Sequence, residues 1–210
     1  FYDTRPYDRD AFTESNKKFL YNIDFFDFHL NEKTAQTARG YKVVCAFVND
    51  ILNSKVIKTL ADCGVELIAM RCAGFNNVDI KAAKAHNIEV VRVPAYSPHS
   101  VAEHAASLLM ALNRKIPQAY LRTRTGNFTL NGLTGRDLYD LTAGIIGTGR
   151  IGRIMADILA GFGMKIVLFD VYPNKEWAAE KGYKYLPLEE FFKKSFNNSY
   201  TYYASKFYHI

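Results

Sequence analysis

Apolar residues fall along this chain in short blocks whose period switches between two and nearly four. Ile23 to Phe28 reads as a strand, and Glu32 to Arg39 as a short helix closed by Gly40. Lys42 to Val48 is a predicted strand, Ser54 to Cys63 a helix stopped by Gly64, and Val65 to Arg71 a strand. Val78 to His86 then predicts a helix, and Ile88 to Val93 a strand halted by Pro94. Ser97 suits a helix N-cap and Pro98 a first helical turn. Apolar positions at Val101, Ala105, Leu108, Leu109 and Leu112 carry that helix to Ala111 or beyond. Phe1 to Arg5 reads as the end of another strand and its loop. Such alternation predicts an α/β protein built on mostly parallel sheets, with no internal repeat beyond the βα alternation itself. It divides into a first unit over 1–96 and a second over 97–195, led by the long helix as a bridge.

A polar, glycine-bearing stretch from Arg122 to Asp140 leads into Thr142-Ala143-Gly144-Ile145-Ile146, and this strand runs directly into Gly147-Thr148-Gly149-Arg150-Ile151-Gly152. Helical spacing follows at Ile154, Met155, Ile158 and Leu159, then a second strand, Lys165 to Phe169, ending on Asp170. A G-x-G-x-x-G turn between a strand and a helix, with an acid eighteen residues beyond Gly152, is the dinucleotide-binding βαβ pattern in its proper context. Gly147 permits the tight turn, Gly149 lets the backbone approach a pyrophosphate, and Gly152 allows close helix–strand packing. The helix start offers N–H groups and a positive dipole end to phosphate, so the amides of Arg150 and Ile151 are the expected donors. A carboxylate at Asp170 accepts both ribose hydroxyls of NAD and repels the 2′-phosphate of NADP. No arginine follows directly in Val171 to Asn174, so NAD is the expected cofactor.

Bulk properties narrow the classes. Apolar residues make up 49% and charged residues 23% of 210, ordinary for a globular chain. No segment approaches the roughly 20 apolar residues needed to span a bilayer, and no basic-then-apolar leader is visible, although the chain opens on Phe1 rather than Met. Cys45, Cys63 and Cys72 sit singly in apolar surroundings with no C-x-x-C spacing, the usage of reduced core thiols in a cytoplasmic protein. No metal site is read. The formal charge of +6 owes half its excess to Lys193, Lys194 and Lys206 in a final twenty residues that contain no acid; elsewhere the charges are mixed, which argues against a nucleic-acid partner.

Composition changes sharply after Ser195. Phe196, Tyr200, Tyr202, Tyr203, Phe207 and Tyr208 are aromatic, Asn197, Asn198 and Ser199 lie among them, and no period is clear. A doubly wound fold should supply another apolar strand here. Asn, Tyr, Phe, Lys and Ser are what an AT-rich gene yields when read out of frame, so residues 196–210 are expected to be an aberrant tail from a frameshift or truncated gene.

The ordered strings Val43 to Asp50, Arg71-Cys72-Ala73-Gly74-Phe75-Asn76-Asn77-Val78-Asp79, Val91 to Pro98, Val101-Ala102-Glu103-His104-Ala105, Arg122-Thr123-Arg124 and the Gly147 turn resemble the D-2-hydroxyacid dehydrogenase family, and within it the fermentative D-lactate dehydrogenases. The resemblance spans nearly all of the chain up to Ser195. It implies a partial flavodoxin-like substrate domain followed by an incomplete Rossmann-like NAD-binding domain, with the active site in the cleft between them. It also implies reversible reduction of pyruvate to D-lactate with NADH. Backbone amides at Ala73 and Gly74 then hold the substrate carboxylate, the Tyr96 hydroxyl lies near the substrate, and Val101 contacts the nicotinamide. The family's reacting arginine, histidine and glutamate match no position here; His29, His86, His99, His104 and His209 all fall elsewhere. No catalytic residue is therefore assigned, and turnover by these residues alone is not expected. Intact members pair as homo-oligomers. Two other readings stay open: a relative acting on a larger 2-hydroxy acid, with Phe1, Tyr2 and Tyr96 lining its pocket, and a non-catalytic NAD(H)-sensing interaction protein.

Overall fold

The computed structural model describes residues 1–196 and 200–202. It forms two compact units, Phe1–Tyr96 and a second beginning at Ser97. In the first, strands β1 (Val43–Ala46), β2 (Leu67–Met70) and β3 (Glu89–Arg92) lie parallel in that order. Helices α2 (Ser54–Asp62) and α3 (Ile80–Ala85) make the crossovers. Asn53 and Asp79 cap them, accepting the N–H groups of Val56 (3.0 Å) and Ala82 (2.9 Å). The period-two pattern puts Val44, Ala46, Ile68 and Met70 on one face, where Val56, Ile57 and Leu60 of α2 share their core.

The structure departs from the sequence reading at three points in this unit. Ile23 to Phe28 forms no strand. Its backbone meets residues 1–4 irregularly, with the N–H groups of Asp3 and Thr4 donating to Phe28 and Phe26 carbonyls, because the left-handed backbone at Asp3 (φ 48°) breaks any regular ladder. The helix over Glu32 to Arg39 shrinks to one 3₁₀ turn, Ala35–Ala38. Asn31 and Thr34 turn their side chains onto nearby backbone amides, and such local bonds compete with a helix. Helix α1 (Pro6–Asn16) was not anticipated; it buries no residue, so periodicity could not reveal it, although Pro6 in its first turn and Asp8 accepting from the Arg5 amide mark its start. Tyr2 is core, its hydroxyl 2.8 Å from Thr37 Oγ1, and Phe1 packs on Phe12 and Phe25.

The second unit opens with α4 (Pro98–Asn113), capped by Ser97 as expected. Its buried stripe is Ala102, Ala106, Leu109 and Asn113, rotated from the expected one. Small residues on that face let α4 pack closely on α6 (Arg150–Gly161), and Val101, Leu108 and Leu112 are left outward. Lys115 in a left-handed conformation separates α4 from α5 (Ile116–Arg124), a helix with no buried residue and hence no apolar stripe to read. Strand β4 (Thr142–Ile146) pairs in parallel with β5 (Lys165–Phe169), and β5 with β6 (Lys184–Tyr185), with α7 (Lys175–Lys181) between them. After α8 (Leu188–Phe196), β7 (Tyr200–Tyr202) pairs with Ala143 to Ile145, giving the order β6-β5-β4-β7. Within the stretch expected to be an aberrant tail, Tyr and Thr have the strand propensity to add this short strand, and the β4 edge is paired over Ala143 to Ile145. Residues 197–199 and 203–210, including Lys206, Phe207, Tyr208 and His209, lie outside the described residues. Lys193 and Lys194 each pair one turn back with Glu189 and Glu190, so their charge is locally balanced.

Candidate dinucleotide site

Strand β4 ends where the sheet delivers it, and Gly147 turns the chain away with φ 87° while its N–H donates to the Phe169 carbonyl of β5 (2.8 Å). Gly149 is the N-cap of α6. The turn is so tight that a Cβ built on Gly152 would overlap the Gly147 carbonyl oxygen, whereas one built on Gly149 meets nothing within 4 Å. One glycine is demanded by the fold and the other leaves open space at the helix start. Arg150, Ile151 and Gly152 form the first turn of α6, whose N–H groups have no partner within a helix.

Asp170 follows β5 and comes back to this turn. Its Oδ2 accepts the Thr148 N–H (2.6 Å) and the Thr148 hydroxyl (3.0 Å), and its Oδ1 accepts the Tyr172 N–H (2.9 Å). An open cavity of about 550 Å³ lies against these groups, lined by Thr148, Gly149, Arg153, Asp170, Tyr172 to Asn174, Lys175 and Glu176. Arg153 donates from Nε to the Thr148 carbonyl (3.0 Å) and stacks on Trp177, 5.7 Å from the ring centroid. Gly147, Gly149, Arg150, Ile151, Gly152 and Asp170 are thus brought together. The reading of Val171 to Asn174 missed that two cations, Arg153 and Lys175, share the same wall. Arg153 lies one residue past Gly152 on the emerging helix, and only the helical geometry turns it toward Asp170.

Such a site fits a dinucleotide on its own geometry. The Gly149 side is open, the 12-residue helix α6 begins there with its free N–H groups and positive dipole end, and the Asp170 carboxylate lines the same cavity. With the geometry established, similarity gives it a family. Residues 1–206 match the model for the catalytic domain of D-isomer specific 2-hydroxyacid dehydrogenases. The chain belongs to this family. It is 52% identical over 194 residues to D-lactate dehydrogenase of Escherichia coli K12, covering 92% of this chain and 59% of that one. It is 50% identical over 194 residues to a 2-hydroxyacid dehydrogenase homolog of Haemophilus influenzae, covering 92% and 58%. The apo structure of the E. coli enzyme superposes with a TM-score of 0.84 at 51% identity, over 92% of this chain and 61% of that one. D-lactate dehydrogenase of Aquifex aeolicus, solved with NAD and lactic acid, gives 0.77 at 29% identity, over 92% and 57%. The chain therefore spans about 59% of the length of the E. coli relative.

The remaining predicted positions are placed as follows. Ala73 and Gly74 form the loop after β2. The Ala73 carbonyl accepts from Arg92 (2.9 Å) and the Gly74 carbonyl from the Cys72 thiol (3.2 Å). Arg92 also lies over the Phe75 ring, 5.2 Å from its centroid; nothing in the pattern of β3 marked it as the residue that pins this loop. Tyr96, 64% exposed, ends the first unit, and Val101, 43% exposed, lies in the first turns of α4. Among the described residues no cluster of His, Cys, Asp or Glu is arranged to hold a metal ion, and no helix is long and apolar enough to cross a membrane.

All three cysteines are free, with Cys63 and Cys72 buried. Burial pushes the Cys45 thiol up to about 11 despite the nearby Arg71 charge, which acts the other way. The thiolate fraction at pH 8 is then about one in a thousand, and a thiolate is the reactive form. Iodoacetamide at pH 8 is expected to label Cys45 at least ~100-fold more slowly than an unfolded-chain thiol, with the rate recovering in denaturant. Rapid labelling of the native protein, read by peptide mass spectrometry, would contradict this environment.

Proposed function

We propose that this chain carries the NAD-binding site and the carboxylate-binding loop of an NAD-dependent D-lactate dehydrogenase, which reduces pyruvate to D-lactate reversibly. The observation that carries the reading is the convergence of the Gly147 turn, the α6 N-terminus and Asp170 on one cavity. The amides of Arg150 and Ile151 hold the pyrophosphate, and Asp170 takes the ribose diol. Gly149 keeps the approach open. Val101 packs on the nicotinamide side. The nicotinamide supplies the hydride when bound. The N–H groups of Ala73 and Gly74 hold the substrate carboxylate, their loop stiffened by Arg92 and the Cys72 thiol, and the Tyr96 hydroxyl contacts substrate. The reacting arginine, histidine and glutamate of the family are assigned to the part of its relatives' length that this match does not span. The same reading gives the exposed apolar residues Leu108, Leu112, Ile116, Tyr120 and Leu121 to pairing with a second copy in the intact enzyme.

A chimera tests the activity. Residues 1–195 joined to the remaining segment of the E. coli relative should oxidise NADH in the presence of pyruvate and release D-lactate, while the 210-residue chain alone should not. A folded, NADH-binding chimera that makes L-lactate, or that prefers a bulky 2-oxo acid, would contradict the assignment to D-lactate.

A further inference from the structure

We infer that Tyr185 is a positioning residue that sets the cofactor preference of this site by orienting Asp170 through Thr148. The inference rests on the NAD-binding reading above and goes beyond it. Tyr185 lies on β6, remote in sequence from both the glycine turn and Asp170, yet its hydroxyl is 2.6 Å from Thr148 Oγ1 and accepts the Asn174 N–H (3.1 Å). The direction of each bond in this chain is fixed by chemistry. An ionised carboxylate only accepts, so the Thr148 hydroxyl must give its one proton to Asp170 Oδ2 (3.0 Å). Thr148 Oγ1 is then the acceptor toward Tyr185, which donates, and the Tyr185 oxygen accepts from Asn174. One ordered relay runs from the Asn174 amide through the phenol and the threonine hydroxyl to the carboxylate.

Thr148 is 4% exposed, so water does not readily replace a lost partner there. The relay joins both walls of the cavity, the glycine turn at Thr148 and the Val171–Asn174 loop, and it holds the Asp170 carboxylate in one orientation. A vicinal diol needs its acceptors fixed. A 2′-phosphate is repelled by the same fixed charge, although Arg153 and Lys175 stand on the wall to receive it. Without the phenol the Thr148 hydroxyl oxygen loses its donor and its side chain loses an anchor, so its bond to Asp170 Oδ2 is held less firmly. The carboxylate, still accepting from the Thr148 and Tyr172 amides, is less narrowly oriented for a diol, and the two cations gain weight in the balance.

The test is equilibrium binding of NADH and NADPH to the 210-residue chain, followed by nucleotide fluorescence, for the parent, Tyr185→Phe, Thr148→Val and the double variant. Tyr185→Phe should weaken NADH binding about fivefold, the size of one net hydrogen bond, without an equal loss for NADPH, so that the ratio of the two dissociation constants narrows. The double variant should discriminate no worse than Thr148→Val alone, because both changes cut one relay. An equal loss for both nucleotides, an unchanged ratio or additive effects would overturn the inference, since a merely structural tyrosine gives those results. A ligand-free measurement separates this from the NAD reading. The Thr148 amide proton, bonded to Asp170 at 2.6 Å, should resonate downfield in the parent and move upfield in Tyr185→Phe. An unmoved resonance overturns the relay whatever the nucleotides do; a parent chain that binds neither nucleotide defeats the NAD reading and the preference with it.

Discussion

Asp170→Ser is expected to weaken NADH binding roughly 10- to 100-fold and to improve NADPH binding in absolute terms. A hydrogen bond to a charged group contributes about 1.5–3 kcal/mol, and the serine hydroxyl cannot replace a carboxylate that accepts from Thr148 and Tyr172 while facing the cavity. The gain for NADPH has a separate cause. Removing the negative charge ends its repulsion of a 2′-phosphate and leaves Arg153 and Lys175 on the same wall. A local anion site of this kind weakens with ionic strength, so the NADPH gain should shrink in high salt while the NADH loss persists. Parallel losses for both nucleotides in a calorimetric titration would mean that Asp170 supports the loop and does not read the ribose.

The second large effect separates two glycines that look alike in the motif. Gly152→Ala is expected to destabilise the second unit by about 3 kcal/mol, the upper range for forced overpacking, because its Cβ would overlap the Gly147 carbonyl at a turn already committed to φ 87°. Gly149→Ala should leave the melting temperature nearly unchanged, since its Cβ meets nothing within 4 Å, and yet should weaken NADH binding at least ~10-fold, as overpacking against a close ligand costs about 1–3 kcal/mol. Thermal denaturation and nucleotide titration on both variants decide the matter. Equal melting temperatures for the two variants would contradict the geometry of the turn, and undiminished NADH affinity in Gly149→Ala would remove the ligand from that space.

The candidate site was legible because its chemistry is local. A strand, a glycine turn, a helix and an acid at the next strand end are all recorded within Thr142 to Asp170, and each constrains the backbone by itself. Thr148, Arg153 and Tyr185 were not legible. Thr148 occupies a variable slot of the motif, Arg153 reads as an ordinary helix cation, and Tyr185 reaches the site only because β6 pairs with β5. In the fold, the buried strands β1, β2, β4 and β5 and helix α2 were found because burial imprints a period on them, and α4 because Ser97 and Pro98 mark its start. Helices α1 and α5 were missed for the converse reason, since neither buries a residue. Ile23 to Phe28 carries the apolar content of a strand, but the kinked neighbour at Asp3 denies it a regular partner, and no property of residues 23–28 records that. On α4 the larger apolar residues drew attention to the wrong stripe, because close packing on α6 selects alanines for the buried face.

One titration tests the central claim most directly: NADH added to the 210-residue chain, with NADPH run in parallel and Asp170→Ser as the control. The account predicts saturable one-site binding of NADH, weaker binding of NADPH, and loss of that preference in the variant. Absence of saturable NADH binding by a folded chain, or equal dissociation constants for the two nucleotides, would contradict it.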